Sequence, residues 1–146
     1  MTDVAIWQMR DVFEEDWMET KLQAESYIKY SLEALQKMVG TSFDQACFKL
    51  RSGLVGAASR WILINGSNLF TEMVQTPKQI KTDTLEASLL RVGPLFDGPI
   101  YGKQRWSFWR EGFEKAAGGA GVGEECATLA KKAVDMMLAF ERNMWH

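Results

Sequence analysis

The stretch Gly93 to Phe113, GPLFDGPIYGKQRWSFWREGF, restricts the fold of this chain more than any other. Its first half cannot be helical. Pro94 and Pro99 lack amide donors, and Gly93, Gly98 and Gly102 open turns closed to other residues. Its second half reads as a helix over 103–116 with Trp106, Trp109 and Phe113 on one side. A rigid loop that runs straight into three large rings must pack against something of matching size. The segments on either side supply it.

Residues 3–18 carry Ile6, Met9, Phe13 and Trp17 at helical spacing, with Thr2 as an N-cap candidate. Residues 20–39 continue with Ile28, Leu32, Leu35 and Val39, and Gly40 stands where helices stop. Nothing between Met18 and Lys21 breaks a helix strongly, so 2–39 reads as one helix or two. Thr41-Ser42-Phe43-Asp44 signals a new N-terminus, followed by helix to Lys49 or Leu50 and a bend at Gly53. Leu54 to Gln75 then reads as a long helix, greasy nearly all round and so placed at the centre. Gly66 inside it costs about 1 kcal/mol relative to Ala, which points to a close helix contact or a ligand needing the space. Thr76-Pro77 ends that helix. A short helix is expected over 82–91, capped by Thr82 or Asp83, with Leu85, Leu89 and Leu90 inward. Gly118 to Gly123 is a flexible linker. The helix from Glu124 to about Trp145 has the clearest pattern. Cys126, Leu129, Ala130, Ala133, Met136, Met137, Phe140 and Met144 lie inward; Lys131, Lys132, Asp135 and Arg142 lie outward. No segment alternates with period two. The fold class is therefore all-α: a single domain, 1–146, built as a bundle of about five to seven helices.

A chain of 146 residues buries roughly 68–70% of its unfolded surface, enough for a core without staples. Six Trp and eight Met suit a core of large and adaptable pieces. A net charge of −2 with no basic stripe lacks the footprint of a nucleic-acid binder. Met1-Thr2-Asp3 does not begin a secretory signal. Leu54 to Phe70 is the most apolar window, but Arg60, Asn65 and Asn68 interrupt it, so no membrane span is expected. Cys47 and Cys126 suit reduced thiols in a cytoplasmic protein.

Catalytic motifs are scarce. His146 is the single histidine and stands at the end, and two separated cysteines make no zinc set, so no metal is expected. A triad lacks its base. Gly118 to Gly123 follows a helix rather than a strand, and Gly98 to Lys103 is too short for a P-loop; no nucleotide or other cofactor is expected. Glu14-Glu15-Asp16 and Glu124-Glu125 read as solvated faces or first-turn dipole partners. What remains are polar groups on apolar faces: Asn65, Arg105, Arg110, Asp97 and Tyr101. In the structural reading Asn65 bonds a loop carbonyl and Arg105 pairs with Asp97, pinning the loop. In the functional reading these groups rim an aromatic pocket closed by the loop.

Three segments also resemble a known family. GPLFDGPIYGKQRWSFWREGF carries a GPL turn and an RW-x-FW-x-x-x-F helix. AASRWILINGSNLF, residues 57–70, carries AA-x-WI ending in LF. The last helix matches at Ala130, Ala133, Met137 and Glu141. Over about residues 43–143 the chain resembles DUF3632, a family of uncharacterised fungal proteins, with residues 1–42 as N-terminal helices outside it. The family usually has a longer spacer before RW. The resemblance implies a helical fold and a fungal source and supplies no catalytic residues.

These residues support three functional readings. The first is a cofactor-free enzyme on a hydrophobic metabolite, a cyclase or isomerase of the pericyclase type in specialised metabolism. Asn65, Tyr101 and Arg105 would bond the reacting group while Trp61, Phe13, Trp106, Trp109 and Met137 hold the substrate. The second is a binding protein for such a ligand without turnover. The third is a helical interaction module whose exposed aromatics, such as Trp7 or Trp145, dock a partner chain or a second copy, so a homodimer stays possible. A closed apolar cavity favours the first two; a filled core with an apolar surface patch favours the third.

Overall fold

The computed structural model of the chain describes residues 2–15, 43–77, 84–119 and 121–144. Among them the protein is all-α, with five helices and no strand. They are α1 (Thr2–Met9), α2 (Phe43–Phe70), α3 (Leu85–Leu89), α4 (Lys103–Ala117) and α5 (Glu124–Met144). Two of them end in a π-helical turn: α1 runs into Arg10–Glu14 and α2 into Thr71–Gln75. Glu15 is extended, so the first helix stops there and does not reach residue 18. Residues 2–39 are therefore not one continuous helix, and the helix expected over 20–39 lies outside the described residues.

Helix α2 passes straight through Gly53, where a bend was expected. It packs along α5, which in turn packs along α4. The central position of α2 is as expected, but it is not buried all round: Ile64 is 85% exposed. Its buried side is Val55, Ala58, Ile62, Leu69 and Phe70, with Met73 continuing it in the π turn. Helix α5 buries Cys126, Ala130, Ala133 and Met137, the inward positions of its pattern. Leu129, Met136 and Phe140 are half-buried beside them.

Gly66 has a clear cause. A Cβ there would stand 2.8 Å from Cε2 of Phe140 on α5. The glycine's helix-propensity cost of about 1 kcal/mol is offset by the close approach of an aromatic ring, and the helix contact needs the space.

Helix α3 departs most from expectation. It spans Leu85–Leu89, and Thr84 caps it by accepting from the Ala87 amide at 3.2 Å. Ala87 and Leu90 are buried, whereas Leu85 and Leu89 are 76% and 47% exposed. The two leucines lie four apart on the outward face.

Candidate functional site

The loop between α3 and α4 is held by one carboxylate and one guanidinium, both fully buried. In a π turn the hydrogen bond runs from i to i+5, so residue i+5 lies nearly over residue i. Glu14 thus comes round towards the side of Met9, whose side chain is fully buried. Its carboxylate accepts four hydrogen bonds. Oε1 takes the Gly93 amide at 2.8 Å and Arg105 Nη2 at 3.0 Å. Oε2 takes Arg105 Nε at 2.7 Å and the Trp109 indole N–H. The Glu14 carbonyl accepts from the Leu95 amide at 2.8 Å.

Arg105 has five N–H donors, and each one is used. Besides the two bonds to Glu14, Nη1 donates to the carbonyls of Leu90 and Ile100 at 2.9 and 3.1 Å, and Nη2 donates to Arg91 at 3.1 Å. The guanidinium carbon also lies 5.3 Å from the centre of the Trp109 ring. Burying two charges is tolerable only when geometry and hydrogen bonds repay the lost hydration. Here they do so while fixing the chain at residues 90, 91, 93, 95 and 100.

Close packing seals this centre. A Cβ at Gly93 would fall 2.6 Å from the Glu14 carbonyl oxygen, and one at Gly112 would collide with the Phe13 ring. Phe13 meets Phe113 edge-on with ring centres 4.6 Å apart, and Phe70 meets Trp106 in the same way at 5.0 Å. Phe96 of the loop lies 5.2 Å from Phe108 of α4.

The candidate residues do not share one environment. Arg105, Trp106, Trp109 and Met137 are fully buried, and Tyr101 nearly so; Trp61 and Phe13 are half-buried against the core. Asn65 is not a buried amide: it accepts from Asn68 Nδ2 at 2.7 Å on the exposed side of α2. Asp97 is exposed, and the partner of Arg105 is Glu14 instead. Arg110 bonds Glu141 across to α5 and Glu114 on its own helix, at 3.1 and 3.0 Å. Glu14, read from its neighbours as part of a solvated acidic face, is the residue that sequence reasoning missed. Two open surface grooves of about 480 and 340 Å³ are formed by α4 with α5 and by α2 with α5; of the candidate pocket residues only Arg110 lines either, in the first.

Among the described residues two titratable groups are perturbed. Burial pushes the Tyr101 hydroxyl above its ordinary value of 10.0; Asp3, Glu86 and Glu72 add to the rise and Arg105 opposes it. Burial likewise raises the Cys126 thiol, against Arg60 and a backbone bond at Gly56. A thiol raised this way is a poor nucleophile. Among the described residues no group of three His, Cys, Asp or Glu could hold a metal ion, and no helix is long and apolar enough to cross a membrane.

An all-α domain whose ordered loop is clamped by a buried Glu–Arg pair is the class that fold and site define. Within it the chain belongs to the family described as protein of unknown function, DUF3632, whose model matches residues 2–113. The match starts far earlier than the resemblance over 43–143 suggested and stops before α5. Glu14, Gly93, Leu95, Arg105 and Trp109 all fall inside it. None of the curated proteins and none of the solved structures matches the chain.

Proposed function

We propose that the protein is a helical protein-interaction module, which uses its buried charges to hold an apolar surface in place rather than to act on a substrate. One observation carries this reading: all five donors of Arg105, the strongest candidate for a reacting group, are engaged by the protein itself. A catalytic hydrogen-bond donor must point at the place where charge develops on the substrate. The bonds to the Leu90 and Arg91 carbonyls instead fix the chain just after α3, whose two leucines face outward. Val4 and Leu95, 44% and 50% exposed, add apolar surface on α1 and the loop. A contiguous apolar patch on a well-packed protein marks a docking face, whereas single exposed apolar residues do not.

A second reading, a small-molecule binding protein, is favoured by one feature. The indole N–H of Trp106 is buried and has no acceptor. Buried donors are nearly always paired, and a polar ligand atom could meet this one. The enzyme reading, a cofactor-free cyclase or isomerase, would need Asn65, Tyr101 and a released Arg105 to converge on such a ligand.

Indole N–H resonances separate these readings. The protein is titrated with a panel of apolar polycyclic compounds while the Trp106 and Trp109 signals are followed. The module reading expects neither to shift at saturating compound. A saturable shift of Trp106 would overturn it in favour of a ligand site.

A further inference from the structure

Helix α2 buries one side and turns a second apolar row outward. Leu50, Leu54, Ala57, Trp61 and Ile64 follow one another along the unbroken helix at intervals of four, three, four and three. That is the spacing of a coiled-coil seam, along which two helices meet. The row faces away from the buried Val55, Ala58, Ile62 and Leu69. Leu50 and Ile64 at its ends are exposed, and Leu54, Ala57 and Trp61 between them are half-buried. At about 1.5 Å per residue the row is about 21 Å long. It carries no charge.

Its order of sizes is the same in both directions about Ala57: two large residues, a small one, two large. A two-fold contact needs such a surface, because the same patch is used by both copies. Laid antiparallel with Ala57 on the axis, α2 of one copy sets Leu50 against Ile64 of the second copy and Leu54 against its Trp61. A large ring at that place needs a gap, and Gly53 supplies one. It is exposed on the flank of the row, and a Cβ built on it meets nothing within 4 Å. It also lines the open groove of about 340 Å³ between α2 and α5. The same helix already uses this device within one chain, where Gly66 receives the Phe140 ring. Of the cations beside the row, Arg60 would face Gly53 of the second copy and Arg51 would face Asn65, so no like charges meet. A parallel pairing would instead set Trp61 against Trp61 and leave Gly53 opposite Gly53.

We infer that two copies of this chain pair through the outward row of α2, antiparallel about Ala57, with Trp61 of each copy seated over Gly53 of the other. The pairing uses none of Val4, Leu85, Leu89 or Leu95, so it stands or falls separately from the interaction-module reading. A seam of this length belongs at the small end of specific interfaces, below about 1,200 Å² in total, so the dimer is a concentration-dependent one.

The test is sedimentation equilibrium of the full chain from about 1 μM to about 1 mM, with thermal unfolding by circular dichroism to check that each variant folds. The parent is expected to pass from monomer to dimer within that range. Ile64→Lys alone or Leu50→Glu alone should weaken the dimer about a hundredfold, because each sets a charge against an apolar side chain. Gly53→Leu should weaken it by filling the seat of Trp61. Leu50→Glu with Ile64→Lys in one chain should recover about tenfold over either alone, because the antiparallel register sets each new carboxylate against an ammonium of the other copy. A monomer at every concentration would overturn the inference, and so would a dimer indifferent to Ile64→Lys or to Gly53→Leu. A dimer weakened by both single variants and weakened further by their combination would overturn the antiparallel register and with it the axis at Ala57.

Discussion

Two regions of this protein solve the same packing problem by opposite means. Between α2 and α5 the seam is apolar and built from small pieces, with Gly66 leaving room for Phe140 and with Ala58, Ala130 and Ala133 buried nearby. Between the first π turn, the loop and α4 the join is polar, with one carboxylate and one guanidinium serving seven bonds that involve side chains and backbone alike. An apolar seam depends on volume and tolerates a change of shape up to a point. A buried polar join depends on every member having its partner, and one loss strands the others. The first region should therefore yield gradually to substitution and the second abruptly. The polar join also lies wholly inside the stretch matched by the family, 2–113, while α5 lies beyond it.

The largest effect should come from cutting the pair. Arg105→Met leaves Glu14 charged and buried, and we expect a loss of about 3–5 kcal/mol in urea unfolding. Replacing both partners by methionines can restore stability in other proteins, because the two charges vanish together. Here it should not, since the Gly93 amide and the carbonyls of Leu90, Arg91 and Ile100 would remain without side-chain partners. A double variant as stable as the parent would erase the contrast between the two regions.

Smaller losses should follow from two glycines, and their order sharpens the same contrast. Gly93→Ala sets a Cβ against a backbone carbonyl, which cannot swing aside. Gly66→Ala sets one against the far edge of the Phe140 ring, which can. Overpacking costs about 1–3 kcal/mol, so we expect Gly93→Ala near the top of that range. Gly66→Ala should fall near the bottom, partly offset by its gain in helix propensity and relieved by Phe140→Leu. Thermal unfolding of the three variants would decide the order.

Gly53→Ala should go the other way. A Cβ there meets nothing within 4 Å, so the helix gains about 0.5–1 kcal/mol from the lost chain entropy of glycine. The smallest effect concerns pH. Folding raises the Tyr101 hydroxyl above 10.0, so the folded state holds that proton where the unfolded state releases it. The stabilisation is full below the ordinary tyrosine range and is lost as pH rises through the raised value. Stability should fall less steeply above pH 10 in Tyr101→Phe than in the parent.

The long helices were legible because their pattern is long. Cys126, Ala130, Ala133 and Met137 repeat over enough turns of α5 for spacing alone to select the buried face. In α3 five residues give barely more than one turn, and there the rule that leucines face inward put Leu85 and Leu89 on the wrong side. The clamp was hidden for two reasons. A π turn has no signature in spacing, so Glu14 counts as an outward residue under α-helical phase. Its partner Arg105 lies 91 residues away, and Asp97, much nearer in the chain, was the obvious choice. Gly66 sat between these cases: its presence marked a close approach, but only the structure named Phe140 as the neighbour.

Hydrogen exchange at the Trp109 indole and the Gly93 amide tests the central claim most directly, because both bond the Glu14 carboxylate. If the carboxylate is permanently engaged in holding the loop and α4, both protons exchange only when the whole protein unfolds, and Arg105→Met speeds both. Rapid exchange of either proton while the remaining helices stay protected would contradict it, for the clamp would then open on its own and Glu14 and Arg105 would be free to serve something else.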